Sequence, residues 1–186
     1  MTVILSLVDA AFEPPEFTPY FLLQQYFKRD LAMSRSAIDW LITDTHWHHA
    51  QIVQLSGRPV DFGEKLIANL RYFLAPQDRL FHLGDVIFYQ YPKLKEILDS
   101  IHGTKILLMG NHDKKSQNWY MTRGGFAFAC DMIVLGDVLL SHKPIEKLPS
   151  GVRLNIHGHW HNDDHHKRPD WYSESTHRLL SVEQTD

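Results

Sequence analysis

The chain has 186 residues, 44% of them hydrophobic and 22% charged, with a formal net charge of −3. That length suits one domain, 1–186, whose core needs no covalent staples, and the charge excludes a global positive field of the kind that gathers nucleic acid. The sole cysteine, Cys130, excludes an internal disulfide and reads as a small buried side chain.

In chain order, Met1–Val8 is apolar but has no basic residues ahead of it and is broken by Asp9, so it does not read as a targeting segment. No later run approaches 18 apolar residues, and the expectation is a cytoplasmic protein with no membrane partner. Residues 11–19, with three prolines, read as a loop, and Tyr20–Met33 as an amphipathic helix. That helix belongs to an N-terminal extension, 1–36, and either packs on the domain surface or serves as an oligomer contact or a cap.

After residue 37 extended and helical patterns alternate. Strands are expected near 40–44, 79–83 and 105–109. Between them, Asp61–Glu64 leads into a helix through Leu74 that Pro76 stops, and 91–101 forms a second helix with Pro92 in its first turn and Gly103 at its end. Further strands are expected at 126–135, 137–141 and 152–157, joined by turn residues, and 162–186 is left as a C-terminal tail. The mixture points to an α/β fold, a two-sheet sandwich with helices outside.

Five short blocks of ligand-type residues each follow one of the apolar runs. They are Asp44-Thr45-His46, Gly84-Asp85, Gly110-Asn111-His112-Asp113, a lone His142, and Gly158-His159-Trp160-His161. Carboxylates, imidazoles and an amide at successive strand ends converge on one sheet edge, where α/β folds bind ligands. The set reads as a metal site. Nitrogen and oxygen donors without thiolate suit Mn, Fe, Zn, Co or Ni better than Ca or Mg, and seven candidates exceed the four that a closed structural zinc site requires.

In order and spacing these blocks resemble the calcineurin-like metallophosphoesterases, whose pattern is D-x-H, G-D, G-N-H-[DE], H, G-H-x-H. The match covers roughly 38–162, and Thr45–His49 with Gly57-Arg58-Pro59 is similar to the small bacterial and phage-type branch. The resemblance implies a four-layer fold, two sheets flanked by helices, and two divalent ions, Mn foremost. It implies that Asp44, His46 and His161 hold one ion, that Asn111, His142 and His159 hold the other, and that Asp85 bridges them. The implied reaction is phosphoester hydrolysis by direct attack of hydroxide, without a phosphoenzyme, on a small phosphodiester or monoester. Two ions against two aspartates and a hydroxide leave a net positive charge, which suits a phosphate ester.

His112, between a ligand and a carboxylate, is the expected general acid. Asp113 is expected either to orient the His112 imidazole and raise its pKa or to cap a turn. His49 and Arg58 are candidates for holding substrate, Arg58 through a bidentate contact to phosphate, with an ordinary surface loop as the alternative. His48 is expected to face solvent and His82 to be a satisfied core residue. His157 either supports a ligand or simply ends a strand, and His165-His166 fall in a solvated tail. Trp47 and Trp160 are expected to pack beneath the site. Two alternatives remain open. A nuclease would use a basic groove, for which Lys114, Lys115, Lys143, Lys147, Arg153, Lys167 and Arg168 are scattered candidates. A non-catalytic scaffold would be expected to have lost ligand residues that this chain keeps.

Overall fold

The computed structural model describes residues 2–4, 36–162 and 168–183. The expected helix over 20–33 and the His165-His166 pair lie outside them. Five parallel strands form the first sheet in spatial order β1 (Thr2–Ile4), β2 (Asp39–Ile42), β3 (Arg79–His82), β4 (Thr104–Leu108) and β5 (Phe128–Cys130). The second sheet runs β6 (Met132–Leu135), β7 (Val138–Ser141), β8 (Leu154–His157) and β9 (His177–Leu179), antiparallel only between β6 and β7. This is a mixed α/β architecture of two sheets and helices, as the alternation of patterns implied.

The two-residue period of a strand explains the layering. On β2, Trp40 and Ile42 face one core cluster and Leu41 the other; on β4, Leu107 opposes Ile106 and Leu108 in the same way. One cluster lies between the first sheet and the helices, and the second fills the space between the sheets with Leu41, Phe81, Leu108, Leu140 and Ile156. Cys130, expected to be buried, is half-buried at the margin of that second cluster.

Helices α1 (Ile52–Leu55), α2 (Phe62–Phe73) and α3 (Tyr91–Asp99) connect the parallel strands. Helix α2 buries Leu66 and Leu70, one turn apart, and ends in extended backbone at Leu74, as the approach of Pro76 requires. Helix α3 begins with Pro92 and buries Leu94 and Leu98 on the same spacing. After β4 come the short α4 (Gln117–Trp119) and a π-helical turn, Tyr120–Gly124. Among the described residues no helix is long and apolar enough to cross a membrane.

Two expectations are corrected. The run 126–135 is not one strand: the chain crosses at Asp131 from β5 in the first sheet to β6 in the second. The segment after 162 is not merely a tail, because β9 pairs with β8 and completes the second sheet.

Candidate metal centre

All five ligand blocks lie in loops just beyond the C-terminal ends of β2, β3, β4, β7 and β8, and main-chain bonds tie these loops together. Asp44 N donates to Gly84 O at 3.0 Å, His46 N to Asp85 O at 3.0 Å and Gly158 N to His142 O at 3.0 Å. The result is two groups of ligand atoms, Asp44, His46 and His161 in one and Asp85, His142 and His159 in the other. Within each group the atoms lie within 4.8 Å of one another, and each group could hold a metal ion.

Both aspartates are used in the same way. Asp44 Oδ2 accepts from Thr43 Oγ1 at 2.6 Å and His159 N at 2.9 Å, while Oδ1 is buried without a partner. Asp85 Oδ1 accepts from His112 N at 2.7 Å, while Oδ2 lies 3.7 Å from His46 Nε2 and 3.4 Å from His142 Nε2. In each carboxylate the chain occupies one oxygen and leaves the other aimed into the gap. Both ring nitrogens of the buried His46 also lack partners. Buried polar atoms without partners are rare because each costs about 1–3 kcal/mol. Several of them facing one another suit a cation.

The histidines are set for the same task. His142 Nδ1 lies 2.8 Å from Leu83 O, and a carbonyl only accepts, so Nδ1 carries a proton and the ring is held with Nε2 toward the second group. Nε2 in turn lies 2.8 Å from Asn111 Oδ1, which brings the predicted amide ligand to the second group. His161 Nδ1 lies 2.9 Å from Glu183 Oε1, which leaves Nε2 toward Asp44 Oδ1 at 3.9 Å. A carboxylate behind a ligand histidine is a common way to fix its ring and raise its basicity.

The backbone here is strained. Asp44, His46, Asp85, His159 and His161 all have positive φ, between 45° and 72°. For residues with a Cβ this costs about 1–3 kcal/mol each and persists where the surroundings over-determine it, commonly at functional sites. Two glycines of the motif blocks allow the close approach. A Cβ on Gly110 would collide with the Asp85 carboxylate and backbone, and one on Gly158 would collide with Thr43 Oγ1 and Asp44 Oδ2. No side chain fits at either position.

Burial governs the proton affinities of the ion-free groups. It pushes the Asp85 carboxyl up to about 7, against the pull of His142. The His46 imidazole is driven well below its ordinary range by burial and by the charges of His161 and Arg58. Burial alone would lower His161, yet its Glu183 bond and Asp44 raise it. Burial likewise opposes ionisation of Glu183, but His161 and Arg58 outweigh it and hold the carboxyl at about 2.

Several predicted roles change. Arg58 is buried with its donors taken up by the protein: its Nε and Nη2 bond Glu183 Oε1 at 2.8 and 2.6 Å, Nη2 also bonds Asp44 O at 2.7 Å, and Nη1 bonds Thr45 O at 3.1 Å. Its donors brace the first ligand loop. Asp113 does not bond the His112 ring. Its carboxylate accepts from Asp85 N, Gly110 N and Val86 N at 2.8–3.1 Å, so it stitches two loops, and the turn-capping alternative describes it better. Asp113 pulls the His112 pKa upward, but burial and then Lys114 outweigh it, so the imidazole is lowered on balance. It sits half-buried with its ring edge-on to His46, centroids 5.5 Å apart.

His49 stands beside the centre, its ring 5.5 Å from that of His46 and stacked on Phe88 at 4.0 Å. His48 is exposed, as expected. His82 is buried and satisfied, 2.9 Å from Thr45 Oγ1 and accepting from Gly84 N at 3.2 Å. Trp47 and Trp160 are both buried. His157 bonds Gly158 O at 2.9 Å and Tyr172 Oη at 3.1 Å, which anchors the start of the last ligand loop. Glu183 was missed, because a lone glutamate near the end of a chain, in Ser181-Val-Glu183, carries no pattern.

No family model matches the chain. It is 30% identical over 134 residues to the uncharacterized protein MJ1445 of Methanocaldococcus jannaschii, a stretch covering 66% of this chain and 68% of that protein. The chain therefore belongs to the same family as MJ1445. A crystal structure of AQ665, a protein of unknown function from Aquifex aeolicus, is also similar, with TM-score 0.59 and 27% identity over 80% of this chain and 91% of that one.

Proposed function

We propose that the protein is a metal-dependent phosphoester hydrolase with a binuclear centre and a fold of the four-layer metallophosphoesterase type. Asp44, His46 and His161 would hold one divalent ion, Asn111, His142 and His159 would hold the second, and Asp85 would be shared between them. The observation that carries this reading is the paired use of the two aspartates, each with one oxygen held by the chain and the other turned into the gap between histidines. The donor set has no thiolate and suits Mn, Fe, Zn, Co or Ni, with manganese put first on the family resemblance alone.

Two divalent ions in such a site supply charge to bind phosphate oxygens and to activate water. The chain's own residues do the rest. Asp85 is placed by the His112 amide so that Oδ2 reaches toward both groups. His112, carried on the loop whose backbone binds Asp85, would protonate the departing oxygen. The Arg58–Glu183 pair adds no net charge, so the positive balance favouring an anionic ester survives.

Metal analysis and a hydrolysis panel test the reading. Purified protein reconstituted with Mn, Ni, Co, Zn or Mg is expected to bind two ions per chain and to hydrolyse bis-p-nitrophenyl phosphate or p-nitrophenyl phosphate. Fewer than two ions in every case, or full occupancy with no turnover of any mono- or diester, would overturn it.

A further inference from the structure

An aromatic ledge stands beside the metal centre, and no motif block includes it. Phe88 and Tyr89 follow β3, their ring centroids 4.3 Å apart. Phe88 lies between the two histidines flanking the centre, stacked on His49 at 4.0 Å and 5.8 Å from His112. Tyr89 is 79% exposed. Its φ is +61°, and Gln90 N donates to Phe88 O at 2.8 Å, a γ-turn of the strained, positive-φ kind. Nothing in packing explains a tyrosine there. Glycine would fit that backbone without strain, and the ring gains almost no burial. Strain held at the rim of a site is more readily explained by what the ring touches when a ligand is present.

The ledge adjoins a cavity of about 480 Å³, lined in part by His49, on which Phe88 stacks, and by Gln90, the residue after Tyr89. The cavity's walls are Trp47, Val53 and Ile67, and its rim carries Asp61 and Glu64. Asp61 is paired with Lys65 at 3.1 Å, and among the described residues the lining holds no lysine or arginine. Such a space accepts a flat, apolar group and opposes a train of phosphates.

Resting on the phosphoester reading above, the geometry points to Tyr89, Phe88 and His49 as a specificity platform. It seats a planar aromatic or heteroaromatic group of a small ester next to His112, and selects against polyanionic strands. Tyr89 is the determinant that can be removed without touching the core.

The test uses the full chain loaded with Mn and three phosphonates that the enzyme cannot cleave at the C–P bond: methyl-, benzyl- and 1-naphthylmethylphosphonate. Calorimetric Kd values are expected to tighten about ten-fold from methyl to benzyl and further with naphthyl, in the range that aromatic stacking provides. With methylphosphonate as each variant's reference, Tyr89→Gly and Tyr89→Asn should shrink that gain to less than about three-fold, and Tyr89→Phe should keep it. Relief of the positive φ means that Tyr89→Gly should melt no lower than the parent, a combination that a merely structural tyrosine would not give. Equal affinity of the parent for all three phosphonates overturns the platform, as does a full gain in both ring-less variants. Single-stranded oligothymidylate binding more tightly than benzylphosphonate would overturn the assigned substrate class. If no phosphonate binds the Mn-loaded protein, the phosphoester reading fails and this proposal with it.

Discussion

The two ligand groups use similar donors but are held in place by different means. Behind Asp44, His46 and His161 stands an ion pair drawn from distant parts of the chain. Arg58 bridges the carbonyls of Asp44 and Thr45 to Glu183, and Glu183 in turn holds the His161 ring. Behind Asp85, His142 and His159 the supports come from loops already carrying motif residues. Leu83 O fixes His142, His112 N fixes Asp85, and Asp113 gathers three amides. The first group depends on buried charge and the second on main-chain shape. A buried pair is costly to break on one side, because its partner is left uncompensated, whereas an amide lattice fails only when its loops move.

Among the described residues, Asp85 alone presents a side-chain oxygen to histidine rings of both groups, so its loss should have the largest effect. Asp85→Asn removes the charge shared by the two positions, and we expect near-complete loss of phosphoesterase activity with reduced metal content under metal-limited loading. Two ions per chain with normal turnover would remove Asp85 from its bridging role. His142→Ala should lose activity as well, but with one ion retained, which separates a shared ligand from a private one.

His112 stands at the seam and should matter in proportion to the leaving group's need for a proton. Loss of a general acid should slow alkyl or nucleoside esters about 10²–10⁴-fold, and p-nitrophenyl esters much less, because that phenolate leaves unaided. Both ions should remain in His112→Ala. Equal losses on the two ester types would make the residue an organiser of the site rather than an acid.

The second group was legible in the sequence and the support of the first was not, for a physical reason. Blocks such as Asp44-Thr-His46 and Gly110-Asn-His-Asp113 compress ligand, glycine and support into a few residues, so their chemistry is visible locally. Arg58 and Glu183 are 125 positions apart, and each alone looks like an ordinary charged residue. Arg58 therefore reads as either a phosphate ligand or an ordinary loop residue, and Glu183 as nothing at all. Strands β2, β3, β4, β7 and β8 and helices α2 and α3 follow from apolar period, whereas β1 does not read as a strand. Strand β9 does not either, because His177-Arg-Leu179 is too short to show such a period. The split at Asp131 was hidden because β5 and β6 are both extended and apolar, and only pairing assigns them to different sheets. The positive φ values at Asp44 and His161 were invisible because the tertiary fold, not glycine, imposes them.

The unequal supports predict unequal sensitivity. Glu183→Gln keeps an acceptor for Arg58 and turns its amide NH2 toward the Ser181 hydroxyl, which can accept, but it removes the anion behind His161, and such supports typically contribute 10–100-fold in metal affinity. Metal titration should show one of the two ions weakened by that factor and the other within about two-fold of the parent. Arg58→Lys, which loses the fork reaching both carbonyls and Glu183, should act on the same ion. If both ions weaken together in Glu183→Gln, the groups share their support and the contrast drawn here fails.

The smallest effect concerns the pH dependence of stability. Burial lifts Asp85 from an ordinary 3.8 to about 7 in the ion-free protein. Between those values the folded chain keeps a proton that the unfolded chain has released. A raised carboxyl favours folding fully at low pH, and that contribution is lost as pH climbs through the window, at up to roughly 1.4 kcal/mol per pH unit for one proton. Buried histidines such as His82, lowered to about 3, and His157, lowered to about 4, act in the opposite sense below their ordinary pKa. They are present in parent and variant alike and drop out of the difference. Chelator-treated Asp85→Asn should therefore gain on the parent as pH rises from about 4 to 7, and be the more stable of the two at pH 7. Saturating metal should reverse that order, because ligand binding stabilises only the chain that can hold it well. Paired thermal melts with and without metal read both signs. A difference flat with pH would show that Asp85 is not a buried charge, and a variant that stays ahead of the parent in saturating metal would show that the carboxylate does not serve the ions.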